Sequence, residues 1–219
     1  MGQISQRGIE ILDETNFSKK FISQISKAVG VPFEESGLED SDSFSDNKNT
    51  AITPYVLLGY CYALLYSLTF RLRYVEFLKR DFPRILIPGG LPLFSKLFEL
   101  GSELVALHLL ESPKLKKYIT RCIGSGDYQV ERVTYSDETV WIDKAKTRGF
   151  QGVPEEVWNY HVGGYQVCEK WLKDRQAKGG KNPRLGRILT SDDIDHYQKI
   201  IVILSETIRI MQEIDEVIE

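Results

Sequence analysis

The apolar positions of this chain change period several times, and each change predicts a change of element. From Thr15 to Val29 the residues Phe17, Phe21, Ile25 and Val29 recur every fourth position, which places them on one face of a short amphipathic helix. Glu34 to Asp46 then holds six acids and no apolar period, so it reads as an acidic linker or loop. Thr53-Pro54 is a helix start, because threonine can accept from a free amide and proline at the first helical position has no amide to leave unsatisfied. The apolar run that follows predicts a long helix or a broken pair from Pro54 to Lys79. Its first half is interior, and its second half is half exposed where Arg71, Arg73, Lys79 and Arg80 enter. Pro83 stops it, and three prolines and two glycines make Phe82 to Pro92 an extended connector.

A further helix reads from Leu93 to about Leu110, with Leu97, Leu100, Leu104 and Leu107 on one face and Pro113 as its stop. Between 127 and 150 the period shortens. YQVERVTYSDETVWI gives two strands around Ser136-Asp137-Glu138, with β-branched and aromatic residues on both arms. DKAKTRGFQGVP continues as a basic loop or a further short strand. Helical spacing returns from Pro154 to Gln176, interrupted at Gly163-Gly164, and AKGGKNPRLG is a basic exposed loop. Thr190 to Asp193 resembles a capping box for a last helix carrying Tyr197, Ile201, Leu204, Ile208, Met211 and Ile218. The predicted class is α+β, mainly helical with a small central antiparallel β-hairpin or sheet. The predicted organisation is a helix and acidic linker over 1–52, a helical segment over 53–120, and a hairpin with helices over 121–219.

Composition narrows this little, whereas charge changes it. With 219 residues, 42% hydrophobic and 27% charged, the chain has enough apolar content for a core. Cys61, Cys122 and Cys168 are far apart, so neither a disulfide framework nor a paired metal half-site is expected, and a reducing, cytoplasmic location fits. The N-terminus lacks the basic and apolar regions of an export signal. The longest apolar run, 55 to 70, is too short to span a bilayer and carries four tyrosines, so no membrane association is predicted. The net charge is −3, but residues 114 to 188 hold fifteen Lys and Arg against nine Asp and Glu, a balance of +6. The rest, with thirteen against twenty-two, stands at −9. Charge sorted in this way can make a patch that the total conceals.

Candidate chemistry is sparse. No phosphate-binding loop, dinucleotide fingerprint, zinc-protease motif or nucleophile elbow occurs, and the Asp-Pro-Pro-Tyr type motif of amino-methylating enzymes is absent. VWNYHVGGYQVCEKWLKDRQ, residues 157 to 176, invites a nucleophilic pair of His161 and Cys168, but seven positions on a straight helix separate them by roughly 10 Å. Packing accounts for this stretch better than catalysis, His108 reads as a helix-packing residue and His196 as solvated. No catalytic residue, metal ligand or cofactor is predicted. The basic residues are different. Lys144, Lys146 and Arg148 alternate by two after a strand, on one side of an extended segment, and Lys178, Lys181, Arg184 and Arg187 punctuate a glycine-rich loop. Arg132 adds a hairpin position. Such segments can follow a phosphate backbone, and Arg and Lys are the commonest readers of guanine.

Several stretches carry a resemblance. NFSKKFISQISKAVG, ITPYVLLGYCYALLYSLTFRLRYVEFLKRDFPRILIP, LFELGSELVALHLLES, VPEEVWNYHVGGYQVCEKWLKDR and DIDHYQKIIVILSETIRIMQEID are similar to the C-terminal part of the Type ISP (single-polypeptide Type I) restriction-modification enzymes and related adenine-specific DNA methyltransferases. The resemblance runs from about Asn16 onward, and RYVEFLKRDFPRI followed at a distance by GGYQVCEKWLKDR is its most specific combination. It implies a target-recognition region that holds double-stranded DNA and is not itself catalytic, with a methyltransferase subunit or the rest of a larger enzyme as partner. The competing reading is a protein-interaction or remnant module that docks on a methyltransferase or self-associates without binding DNA.

Overall fold

In the computed structural model, residues 17–35, 51–80, 84–179 and 184–218 are described. The acidic stretch from residue 36 onward, Pro83 and Lys181 lie outside them. The chain divides into two compact units, one of residues 1–102 with 213–219 and one of residues 103–212. Two long helices, α5 (Leu91–His108) and α8 (Ser191–Ile218), contribute residues to both.

The first unit is helical among its described residues. Helix α1 (Lys19–Val29) starts at Ser18, whose hydroxyl accepts from the Phe21 amide, and ends at Gly30 in the left-handed region. Its Ile25 and Val29 are buried, as their spacing predicts. Thr53 caps α2 (Pro54–Tyr66) with Pro54 in the first turn. Of the long helix or broken pair predicted for this span, the broken form is found, with its break at Ser67, which is fully buried and starts α3 (Leu68–Arg73) by accepting from the Phe70 amide at 2.9 Å. The Asp215 carboxylate, near the end of α8, accepts from the Ser67 hydroxyl and from the Leu68 and Thr69 amides, satisfying donors that a helix start leaves free. A short α4 (Val75–Leu78) follows. Helices α2 and α5 meet almost backbone to backbone: a Cβ on Gly101 would lie 1.8 Å from the Gly59 carbonyl oxygen, so only glycine permits the approach. Around it Val56, Leu57, Tyr60, Phe94 and Leu97 are almost wholly excluded from solvent.

The second unit contains all the described strands. Strands β1 (Arg121–Ile123), β2 (Thr134–Ser136), β3 (Thr139–Trp141) and β4 (Gly149–Gln151) form an antiparallel sheet in the order β1-β4-β3-β2. The predicted hairpin is β2–β3, the anticipated further strand is β4, and β1 went unread. Cys122, Phe150, Val140 and Tyr135 lie side by side in register, and this row packs into the core. Phe150 meets Tyr197 of α8 with ring centroids 4.5 Å apart, and Tyr135 stacks on Trp158 of α6 (Glu155–Trp158) at 5.1 Å. The alternate residues, Ser136 and Trp141 among them, belong to the other face. Instead of an interrupted helix, the diglycine forms the turn of a small hairpin, β5 (His161–Val162) with β6 (Tyr165–Gln166), before α7 (Val167–Lys173). Gly163 supplies a positive φ of 59° there, which breaks helical continuity. The capping box is present: Thr190 Oγ1 accepts from the Asp193 amide, and Asp193 accepts from the Thr190 amide and hydroxyl.

Candidate nucleic-acid interface

Apart from Lys181, which lies outside the described residues, the basic residues singled out from the sequence lie on the 143–148 turn, at a strand entrance and in the segment after α7, and the structure divides them by what their side chains do. The first turn, 143–148, joins β3 to β4. It is not the extended segment that alternating Lys144, Lys146 and Arg148 suggested, because Asp143 curls it. The Asp143 carboxylate is 3% exposed and accepts from the Thr147 amide at 3.0 Å, the Thr147 hydroxyl at 2.7 Å and the Arg148 amide at 3.0 Å. Burial opposes its charge, but these hydrogen bonds, with the Arg148 guanidinium, outweigh burial and hold the carboxyl below the usual range. Arg148 is thereby committed to the fold. Its guanidinium pairs with Glu131 at 3.3 Å and Asp143 at 3.8 Å and donates to the Asp127 carbonyl.

Lys144 is exposed with no ion pair or side-chain hydrogen bond among the described residues. Lys146 adopts a left-handed φ of 54° and directs its ammonium to the Ser136 hydroxyl at 3.1 Å. Arg132, at the entrance to β2, is exposed, and its amide donates to the Ile142 carbonyl.

The second basic segment, described over 174–179 and from 184 onward, follows α7. Lys178 and Arg184 exchange backbone hydrogen bonds at 2.8 Å, the Arg187 amide donates to Arg175, and the amides of Val130 and Leu189 tie this segment to residues 128–130. Gly186 is the closest point, where a Cβ would stand 2.0 Å from the Val130 carbonyl oxygen. The Arg184 guanidinium donates to the carbonyls of Asp174 and Gln176. Arg187 donates to both oxygens of Asp193, the same carboxylate that caps α8. For Asp193, too, burial opposes ionisation and is outweighed by the Thr190 hydrogen bonds and the charges of Arg187 and Arg175, so its pKa is lowered. Lys178 is exposed beside Asp174, whose pKa is lowered mainly by its hydrogen bond from Lys170. Three arginines therefore fasten these segments, while Arg132, Lys144, Lys146 and Lys178 present charge to solvent.

The residues that invited a nucleophilic reading stand apart in chemistry. Cys168 is fully buried, its thiol pushed up to about 12 by burial, and its sulfur faces the Val157 carbonyl. A thiolate is disfavoured there. His161 is exposed and pairs through Nδ1 with the Asn159 carbonyl at 2.6 Å. Trp171, from the same stretch, packs on Tyr197 at 5.2 Å and carries the Arg175 guanidinium 3.5 Å over its ring. His108 pairs with the Thr207 hydroxyl, and burial lowers its pKa. Among the described residues no group of three His, Cys, Asp or Glu is arranged to hold a metal, and no helix is long and apolar enough to cross a membrane.

Sequence reasoning missed Asp143, Ser136 and Trp141. Asp143 had a readable signal, an aspartate four before Thr147, the spacing of a side chain folding back on its own turn. Trp141 and Ser136 had none, because their meeting depends on strand register.

The sequence model of the Type ISP C-terminal specificity domain family matches residues 5–213. Three solved structures share the fold. A nuclease-deletion mutant of the Type ISP restriction-modification enzyme LlaGI, in complex with a DNA substrate mimic, is 21% identical with a TM-score of 0.55 over 76% of this chain and 14% of that one. The ATP-dependent Type ISP enzyme LlaBIII bound to DNA is 18% identical, with a TM-score of 0.58 over 80% of this chain and 13% of that one. DrdV in its DNA complex is 21% identical, with a TM-score of 0.59 over 75% of this chain and 18% of that one. The chain thus spans well under two thirds of each. No curated protein matches it.

Proposed function

Because the chain belongs to the Type ISP C-terminal specificity domain family, we propose that it recognises a specific sequence in double-stranded DNA for a restriction-modification or DNA methyltransferase system. Catalysis is then supplied by a methyltransferase subunit or the rest of a larger enzyme, in the cytoplasm, with no cofactor bound by this chain.

The observation that carries the reading is the division of labour among the basic residues. Asp143 holds the 143–148 turn in shape and pairs with Arg148, and Asp193 pairs with Arg187. Exposed Lys144, Lys146, Lys178 and Arg132 are left to meet an anionic ligand. Cations on braced turns lose less conformational freedom on binding than cations on free loops. Lys181 completes the proposed contact set, which lies wholly within 121–219, and Arg148, Arg184 and Arg187 support it by fastening the segments that carry it.

Titration of the full chain against a labelled duplex pool at two salt concentrations tests this. Counterion release requires affinity to fall steeply with salt, and each phosphate-contacting lysine replaced by alanine should flatten the log–log slope by about 1. Absence of duplex binding at low salt overturns the proposal and favours the protein-docking alternative.

A further inference from the structure

On the face of the sheet away from the core, one serine holds two donors and has its own proton to spare. Ser136 Oγ accepts from the Trp141 indole N–H at 3.1 Å and from the Lys146 ammonium at 3.1 Å. A serine hydroxyl has two acceptor directions and one donor, so both acceptor directions are filled, and its proton has no acceptor among the described residues. The lysine keeps two further N–H donors after bonding Ser136. What these two side chains still offer is therefore donors alone.

The arrangement is built from several directions. Register places Thr139 opposite Ser136, and Trp141 opposite Gly149, where a Cβ would stand 2.2 Å from the Val140 carbonyl oxygen. Lys146 sits in the left-handed region that non-glycine residues avoid, held there by a turn whose amides at Thr147 and Arg148 are bound by Asp143. Strain of this kind persists only where surrounding bonds over-determine it. A flexible surface lysine would not require it.

We infer that Ser136 and Lys146 form one composite donor that reads hydrogen-bond acceptors on duplex DNA, with Ser136 as the positioning residue and Trp141 fixing the serine. The assignment rests on the DNA-binding reading above and sharpens it to two side chains. Two sources on DNA present acceptors without donors: the O6 and N7 edge of guanine in the major groove, and phosphate oxygens. The exposed Asp137 and Glu138 at the neighbouring β2–β3 turn repel phosphate, which favours the guanine edge.

The experiment uses the full chain and one duplex recovered by it from a randomised pool. Ser136→Ala and Lys146→Ala should each weaken binding roughly tenfold, and the double variant should be little weaker than either single one, because the two act as a unit. Ser136→Thr keeps the hydroxyl and should bind like the unmodified chain, a rescue that a loss of folding would not show. Replacing guanines one at a time by 7-deazaguanine separates the sources. For a guanine edge, one replacement weakens the unmodified chain but adds nothing to the Ser136→Ala loss. For a phosphate, no replacement matters, and Lys146→Ala flattens the salt slope by about 1. Unmodified chain that binds duplex while Ser136→Ala binds equally well overturns this assignment alone. Unmodified chain that recovers no duplex overturns the DNA-binding reading, and this assignment with it.

Discussion

Two carboxylates illustrate how single residues set the basic segments without belonging to their charge. Asp143 and Asp193 are both nearly buried, each is ringed by amide, hydroxyl and guanidinium donors, and each has its pKa lowered. A carboxyl depressed in the folded state contributes stability that is fully present above its unfolded value, about 3.9, and is lost as pH falls through the folded value. Acid unfolding monitored between pH 7 and pH 2 should therefore show a loss of stability setting in below about pH 4. Asp143→Asn removes the charge that several donors share, so it should cost about 2–3 kcal/mol at neutral pH and flatten the acid limb of the urea-midpoint profile. Asp193→Asn should do the same and also release Arg187.

At the scale of elements, close approaches and caps decide the architecture. Helices α2 and α5 depend on Gly59 and Gly101, and Gly101→Ala would force a Cβ to 1.8 Å from a backbone carbonyl. Overpacking against a rigid partner typically costs about 1–3 kcal/mol or more, which urea denaturation of the variant would register. Gly186→Ala acts in the same way on the second basic segment, with 2.0 Å to the Val130 oxygen. Its expected signature is a loss of stability together with weaker duplex binding, because the segment can no longer lie against residues 128–130. Ser67→Ala removes the cap of α3 and a donor to Asp215, a loss of about 1 kcal/mol by helix-cap precedent. The role of neither glycine could be read from spacing, and a broken pair is among the expectations for this span but Ser67 as its break is not. A helical period passes through Ser67 unchanged, and a glycine inside a helix announces weakness but not what approaches it.

For the whole molecule, the useful quantity is the sorting of charge. A net charge of −3 conceals the balance of +6 over residues 114–188, and folding then pairs Arg148 and Arg187 with carboxylates while leaving Lys144 and Lys178 exposed. Salt dependence should accordingly respond to Lys144→Ala and Lys178→Ala, each flattening the slope by about 1, whereas Arg148→Ala should act chiefly through stability. Thermal unfolding measured beside duplex titration separates the two classes.

The local order of residues by itself predicted helices within 15–29, 54–79 and 93–110 and a last one after Thr190, the β2–β3 hairpin and the capping box at Thr190, because all of these depend on neighbours within a few residues. It also carried the family resemblance and located the basic segments. Tertiary structure alone decided what the basic residues do. Whether an arginine faces solvent or a carboxylate depends on where Asp143 and Asp193 are folded, and the meeting of Trp141, Ser136 and Lys146 depends on strand register and a strained turn. The diglycine shows the same limit. Local pattern reads Gly163-Gly164 as a helix interruption, but pairing of His161 with Gln166 and Val162 with Tyr165 makes it a hairpin, since a turn of either kind satisfies the same residues and only the partner strand distinguishes them.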